Sequence, residues 1–466
     1  MAQPLGPTPL AERSLAPDLA RGAMLLLIAL ANVRAFVDVP TQGLRGYPDP
    51  DGTSALDDAV ALVQLLLVDG RAYPLFGLLF GYGVWQLASR RLDRGWSADA
   101  VVSILRRRSV LLLAVGAVHG ILFFPGEIIA AYGVLLLLLP GAMVRGRDQA
   151  LVAWSAIGGI VILLLLAGAG TFVGQVAPMT TSWGTAVTEH LTAWPPGGVL
   201  SNALGVSVTV PLGVLAARHG LLDRPDEHRG PLARCAVVGL GAAIVLGAWY
   251  ALVAAGALPA PSPAVAPVMA LLHGVGGYAG GIGYAALFGL LAAGRSERAR
   301  DGHARASHTR DDHTRVARAR DDHTRASHAR ASHARHDRRR DGHASGMIRS
   351  LGRMSMSGYL LQTAVFVVVL VPWGPIALGR DISTMSAALV AVGAWVLGLV
   401  VAVALGPTGR RGPFEAVVRW WTYRGAGGRA SRRRVTGEGP GGLGSSGRRS
   451  SDDGSGSQRS TDRRSG

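Results

Sequence analysis

The sequence predicts an all-α integral membrane protein of about ten transmembrane helices, with both termini cytoplasmic. Three observations predict it. The chain has 466 residues, 49% of them hydrophobic and only 17% charged, and a mean hydropathy of +0.30. Several apolar runs are long enough for the helix of about 20 residues that crosses a bilayer. The loops between them alternate between arginine-rich and arginine-poor, the pattern of the positive-inside rule.

In chain order the spans fall at roughly 19–38, 72–89, 108–124, 127–144, 150–173, 200–217, 235–256, 265–293, 350–371 and 383–405. "SRRLDRGWSADAVVSILRRRS" (89–109), "VRGRDQ" (144–149) and "ARHGLLDRPDEHRGPLAR" (217–234) read as cytoplasmic. "FPGEI" (124–128), the segment 174–198 and "GALPAPSPA" (256–264) are poor in arginine and read as external. Ten spans with both ends inside satisfy all of these loops. "ALDDAVALVQLLLVDG" (55–70) fits an outer interfacial helix better than a further span, because Asp57 and Asp58 sit at its start. The first apolar run soon meets Asn32, Arg34 and Asp38 with no small-residue cleavage site, so it reads as a retained helix rather than a cleaved signal.

The chain divides into an N-terminal membrane half (1–145), central membrane helices (146–294), a His/Arg-rich insert (295–345), a C-terminal region with two membrane helices (346–423) and a basic Gly/Ser-rich tail (424–466). The insert carries Arg at every fifth position from 305 to 335, a period that matches neither a helix face nor a heptad. With almost no apolar side chains it cannot offset the entropy of folding, and it reads as disordered, as does the tail. Eight of the 13 histidines fall in this insert. Their spacing fixes no geometry and the adjacent arginines repel cations, so no metal site is expected.

The net charge of +17 would suit a nucleic-acid binder, but its location argues otherwise. Residues 295–345 contribute +6 and residues 408–466 contribute +8, which leaves the rest of the chain nearly neutral. No nucleic-acid partner is expected. Membrane lipids are, with anionic head groups facing the basic insert and tail. The lone Cys235 excludes an intrachain disulfide and any multi-cysteine metal centre.

Ionisable groups inside a bilayer are costly, so each asks for a partner or a function. Asp18 and Arg21, three apart, share a helix face near the inner end of the first span. Asn32 and Arg34 lie about 16 to 20 Å further along the axis, in the outer half, with Asp38 expected as the ion-pair partner of Arg34. His119 lies about 16 Å into the third span, in its middle to outer half. Glu127 starts the returning helix, where a carboxylate also suits the helix dipole. His273 lies at similar depth on the eighth span. Asn32, Arg34, His119, Glu127 and His273 could therefore converge on one outer-half cavity. "GVGGYAGGIG" (274–283) resembles a phosphate loop only loosely; its pairs Gly276/Gly280 and Gly277/Gly281 read as helix-packing contacts, as do Gly77 and Gly81.

"LARGAMLLLIALANVRAF" (19–36), "GRAYPLFGLLFGYG" (70–83), "RRSVLLLAVGAVHGILFFPGEIIAAYGVL" (107–135), "GRMSMSGYLLQTAV" (352–365) and "RRGPFEAVVRWWTY" (410–423) come in a familiar order. Together they resemble the YeiB-like family of bacterial membrane proteins, a family of unknown function. The resemblance covers most of 15–145 and 346–423 and is diffuse between about 150 and 290. The family usually carries Asp after the Pro-Gly turn, where this chain has Glu127.

The resemblance implies a multi-pass protein of the cytoplasmic membrane. It also implies a distant similarity to polytopic membrane acyltransferases, mainly through Asp18, Arg21 and Gly22, a likeness at the level of fold. On that reading acyl groups pass from a cytoplasmic donor such as acyl-CoA to an envelope glycan or lipid. His119 would be general base, Glu127 its orienting partner, and Arg21 or Arg34 an anchor for donor phosphate or an oxyanion. Asp18, Asn32 and His273 would help to bind substrate or donor. The alternative is a transporter of small molecules or ions, with His119, Glu127 and Asn32 binding substrate or relaying protons. A structural role in the envelope, without turnover, is the third. The insert is expected to be dispensable: a chain deleted for 300–343 should match the full chain in membrane level and activity, and a loss of either would show that the repeat is built into the working protein.

Overall fold

The structure, a computed structural model, describes residues 15–38, 47–48, 53–168, 179–316, 344–380, 382–405 and 412–423; for Leu15, residues 166–168 and 295–316, and Tyr423 it describes the backbone course alone. Among these residues the architecture is entirely helical, and Asp38 and Arg380 form an isolated β-bridge. The helices are α1 (Leu15–Asn32), α2 (Ala55–Leu67), α3 (Ala72–Leu92), α4 (Ala98–Leu122), α5 (Ile129–Leu138), α6 (Pro140–Arg145), α7 (Asp148–Gly168) and α8 (Trp183–Ala193). They continue with α9 (Asn202–Ser207), α10 (Thr209–Arg218), α11 (Arg229–Ala254), α12 (Ala266–Val316), α13 (344–353), α14 (Ser355–Val369), α15 (Thr384–Leu405) and α16 (Pro413–Tyr423).

Every expected span contains helix, but length and composition support fewer crossings than ten. Six helical segments are long and apolar enough: Ala16–Phe36, Ala55–Leu92, Asp148–Leu165, Arg229–Ala254, Ala266–Gly294 and Thr384–Leu405. A seventh arises if Trp183–Ser207 and Thr209–Arg218, bent by 44°, count as one. The shortfall has local causes. Pro140 cannot continue a helical ladder, so the expected 127–144 divides into α5 and α6. The expected 350–371 divides at Met354 into α13 and α14. Residues Trp194–Ser201 wind as a π-helix over Pro195, Pro196, Gly197 and Gly198 before α9 begins. The stretch 55–70 yields α2, whose 13 residues reach about 20 Å, short of a bilayer core.

The insert also differs from its reading. α12 runs on as helix to Val316, into the segment expected to be disordered. Alanine and arginine are good helix formers, and a helix already nucleated in the bundle extends without a new nucleation cost. The remainder of that expectation, 317–343, and the tail from 424 lie outside the described residues.

The bundle is turned inside out relative to a soluble protein. α7, α11 and α15 hold large apolar side chains outward, Val237 and Val245 being 74% and 73% exposed. Apolar bands this extensive are covered by lipid. The architecture is that of a multi-pass membrane protein. Its two ends also differ. At one end Arg145 pairs with Asp99, Asp148 accepts from Arg218 at 2.7 Å and lies 3.1 Å from His219, and Gln86 donates to Asp223 at 2.8 Å. These bonds join the three loops that the arginine count groups together. At the other end Trp183 and His190 reach the carbonyls of Leu122 and Ile121.

Glycine sets the closest helix contacts. Gly276 and Gly280 face α11 while Gly277 and Gly281 face the start of α3, so the two pairs serve two faces of α12. Gly77, Gly81 and Gly213 let α3 and α10 touch: a Cβ at Gly213 would lie 1.9 Å from the Leu78 carbonyl oxygen. Gly213→Val should therefore destabilise the detergent-solubilised protein by about 1–3 kcal/mol or more. Gly393→Ala, where a Cβ meets nothing within 4 Å, should leave thermal unfolding unchanged or slightly raised.

Candidate functional site

A cavity of about 240 Å³ lies where five segments meet. The end of α1 contributes Asn32 and Arg34, and the α2–α3 junction contributes Asp69, Gly70 and Tyr73. The α4–α5 turn contributes Gly126 and Ile128, α9 contributes Asn202, and α14 contributes Tyr359. Its wall thus mixes a cation, a carboxylate, two amides and two phenols.

The turn of the chain at the end of α1 explains the position of Arg34. The α-helix stops at Asn32, a 3₁₀ turn spans Val33–Phe36, and Val37 is extended. Arg34 is consequently buried, its guanidinium 5.1 Å from the centroid of the Tyr47 ring. The Tyr47 hydroxyl lies 2.7 Å from Asp69 Oδ2 and 2.8 Å from Gln64 Oε1. The expected pairing of Arg34 with Asp38 does not form. Because the helix has ended, Asp38 is not one α-turn beyond Arg34; its carboxylate instead sits 4.0 Å from Arg380 and accepts from the Met179 N–H at 3.3 Å.

His119 is buried near the end of α4, its Nε2 3.0 Å from Thr363 Oγ1 on α14. Its Nδ1 has no hydrogen-bond partner among the described residues. The imidazole stands edge-on to Tyr359, ring centroids 5.3 Å apart, and so lies directly behind the cavity wall. Glu127 is fully buried. It accepts from the N–H groups of Ile129 at 2.5 Å and Ala130 at 3.2 Å, and from Trp194 Nε1 at 3.0 Å. These bonds make it the cap of α5, and the group that holds His119 is Thr363, not Glu127. Asn202 donates to the Glu127 carbonyl at 2.9 Å, tying α9 to the same turn.

His273 is buried on α12, 3.3 Å from Arg71 and tilted against the Tyr250 ring at 4.7 Å. Asp18 and Arg21 pair at 3.1 Å near the start of α1, well away from the cavity. Of the residues singled out in the sequence, Asn32 and Arg34 line the cavity and His119 and Glu127 flank it, whereas His273 lies outside the lining, against Arg71, which bonds the carbonyl of Asp69 in the wall. Among the described residues no group of three or more His, Cys, Asp or Glu is placed to hold a metal.

Sequence reasoning missed Arg71, Asp69, Tyr359, Thr363 and Asn202. Arg71 is 0% exposed and donates to the carbonyls of Asp69 and Ala243, the latter at 2.8 Å. A signal existed: "VDGRAYPLFG" (68–77) puts a charge between two apolar runs, with a glycine whose φ of +78° turns the chain there.

Residues 216–304 and 334–425 match the model of a family described as a protein of unknown function, DUF418. The uncharacterized protein YeiB of Escherichia coli strain K12 is 30% identical over 174 residues, 37% of this chain and 41% of that protein. An uncharacterized 39.9 kDa protein in the amylase 3′ region of Bacillus acidopullulyticus is 33% identical over 137 residues, 29% of this chain and 36% of that one. The chain thus aligns with less than half the length of either relative. No solved structure matches. The YeiB-like resemblance read from the sequence is borne out. Arg71→Met would remove a fully buried guanidinium together with its bonds to the Asp69 and Ala243 carbonyls and its contact with His273, and it should lower the thermal midpoint far more than a lipid-facing change such as Val237→Ala.

Proposed function

We propose that this chain, which carries the sequence pattern of the YeiB-like proteins of unknown function, transfers acyl groups to a hydroxyl-bearing acceptor held in the cavity. One observation carries the reading: a buried histidine behind the cavity wall with one ring nitrogen held and the other unpartnered. An unsatisfied buried polar atom costs about 1–3 kcal/mol, which calls for a use. A neutral imidazole has one N–H. With Nε2–H donating to Thr363, the orphan at Nδ1 is a lone pair, and under-satisfied acceptors are tolerated better than orphaned donors. That lone pair is a general base.

In the reaction the acceptor oxygen attacks the carbonyl carbon of an acyl thioester while Nδ1 takes the hydroxyl proton. The carbon–sulfur bond breaks, and the departing thiolate receives the proton from the imidazolium. Atoms and charges balance: alcohol and thioester become ester and thiol. Arg34 in the cavity wall is suited to the developing oxyanion. The Asp18–Arg21 pair at the far end of α1 is suited to the phosphates of a donor entering from the cytoplasm. Tyr359 separates His119 from the cavity, so acceptor entry must swing its ring aside, a gating step. The reading sets the protein in the cytoplasmic membrane with both termini inside and with ten spans when the divided and shorter helices are counted as crossings beside the six long ones, and it sets the acceptor on an envelope glycan or lipid.

Transport is the second reading, and the broken helix favours it. The π-helical turn Trp194–Ser201 and the 44° bend before α10 bring Asn202 to the cavity. Interrupted helices form the substrate sites of many transporters. The two readings separate on one experiment. Surface glycans and lipids of a deletion strain are compared by mass spectrometry after complementation with wild type, His119→Ala or Thr363→Val. Acyl transfer predicts an acyl mass restored by wild type, abolished in His119→Ala and reduced about 10²-fold or more in Thr363→Val, at equal protein level. An acyl product undiminished in His119→Ala would overturn the assignment. Gradient-driven solute uptake by proteoliposomes, with no need of a thioester, would establish transport.

A further inference from the structure

The last described helix, α16, is amphipathic in the wrong direction for water. Its 11 residues begin at Pro413 and include Phe414, Val417, Trp420 and Trp421, spaced by three and four so that they share one face. That face is exposed: Phe414 36%, Val417 45%, Trp420 57% and Trp421 39%. The polar side chains turn the other way. Glu415 accepts from the N–H groups of Met356 at 2.9 Å and Ser357 at 3.1 Å, and Thr422 is buried with its hydroxyl donating to the Val418 carbonyl at 2.6 Å. A helix on a water-facing surface has the opposite arrangement.

We propose that α16 is an in-plane membrane anchor, its Phe414–Trp421 face embedded at the boundary between head groups and acyl chains of the inner leaflet. At about 16 Å it is too short to cross the bilayer. Its tryptophans have the composition of an interfacial belt, an apolar body with one polar handle; that handle on Trp421 donates to the Arg107 carbonyl at 3.2 Å, at the arginine-rich end of the bundle. The charge around it complements anionic lipid: Arg410 and Arg411 precede the helix, Arg419 lies within it, and Arg424 follows in sequence. Those flanks favour the bilayer over a second copy of the chain, whose identical arginines would repel. The anchor does not depend on the acyl-transfer reading.

The test uses the full chain with its one cysteine removed (Cys235→Ser) and single cysteines introduced for nitroxide labelling at Val417, at Val237 as a lipid-facing reference and at Arg94 as a water-facing one. Each protein is reconstituted in phosphatidylcholine vesicles with and without phosphatidylglycerol. Collision with oxygen should exceed collision with a water-soluble nickel chelate at 417, as at 237, and the order should reverse at 94. Phosphatidylglycerol should deepen the label at 417. Phe414→Cys is an independent second site with the same expectation, should Val417→Cys fail to fold. Nickel-accessible labels at 414 and 417 would overturn the anchor. So would label–label broadening at 417 that disappears on dilution with unlabelled protein, which would give the face to a second copy of the chain.

Discussion

The arrangement of this bundle depends on how it buries Arg71. A guanidinium with no exposed surface among apolar helices must find its hydrogen bonds inside the protein, and Arg71 finds them in the carbonyls of Asp69 and Ala243 and in His273. Reaching those groups requires room that only glycine leaves. A Cβ at Gly247 would sit 2.5 Å from Arg71 Nη2, and one at Gly280 would sit 2.8 Å from Arg71 Cγ. The same placement fixes the α2–α3 junction, because α12 passes so close to Gly70 that a Cβ at Gly277 would lie 2.5 Å from its oxygen. Asp69 and Tyr73 reach the cavity from that junction. A buried charge, three glycines and one left-handed turn therefore position one whole side of the site.

The other side depends on α14. Gln362 donates to the Leu25 carbonyl on α1 at 3.0 Å, Thr363 holds His119 on α4, and Tyr359 forms the cavity wall. Its first turn is held by Glu415, which accepts from Met356 and Ser357 and also takes the Ser357 hydroxyl. The segments 352–365 and 410–423, apart in the sequence, are thus joined in the structure through Glu415. An acidic residue late in the chain caps the helix that supports the histidine. A Cβ at Gly412 would lie 2.0 Å from the Glu415 carboxylate, which accounts for the glycine at the head of that motif.

The physical signals in the sequence were uneven. Apolar length and arginine alternation gave the helical membrane class, and the small-residue pairs gave the close packing of α3 and α12, because both depend on local composition. Depth along α1 correctly separated Arg21 from Arg34. The count of crossings was less legible, since Pro140 and the Pro195–Gly198 run break the ladder without lowering hydropathy. Arg71 escaped because one charge between two apolar runs looks like loop punctuation. Glu127 was singled out in the sequence, but with two roles open, helix cap and orienting partner of His119. A carboxylate that caps a helix and one that orients a base read identically until the distances to Ile129 and Ala130 are known. Thr363 carries no sequence signal at all, since a threonine in an apolar helix is ordinary until it meets a histidine from another segment.

The two buried histidines look equivalent in the sequence, yet their partners give them different work. His273 faces a guanidinium, which can only donate, so its Nε2 lone pair is already occupied and its role is to satisfy Arg71. His119 faces a hydroxyl, which can accept as well as donate. Thr363 can therefore take the Nε2 proton and leave Nδ1 as the uncommitted basic atom on the side of the bundle where Tyr359 backs the cavity. A histidine kept for packing alone would be cheaper as an apolar side chain of similar size. In the acyl-transfer reading it is this hydroxyl partner, which can take the Nε2 proton beside a polar cavity, that makes His119 the proposed base, while the guanidinium partner of His273 assigns it to the scaffold.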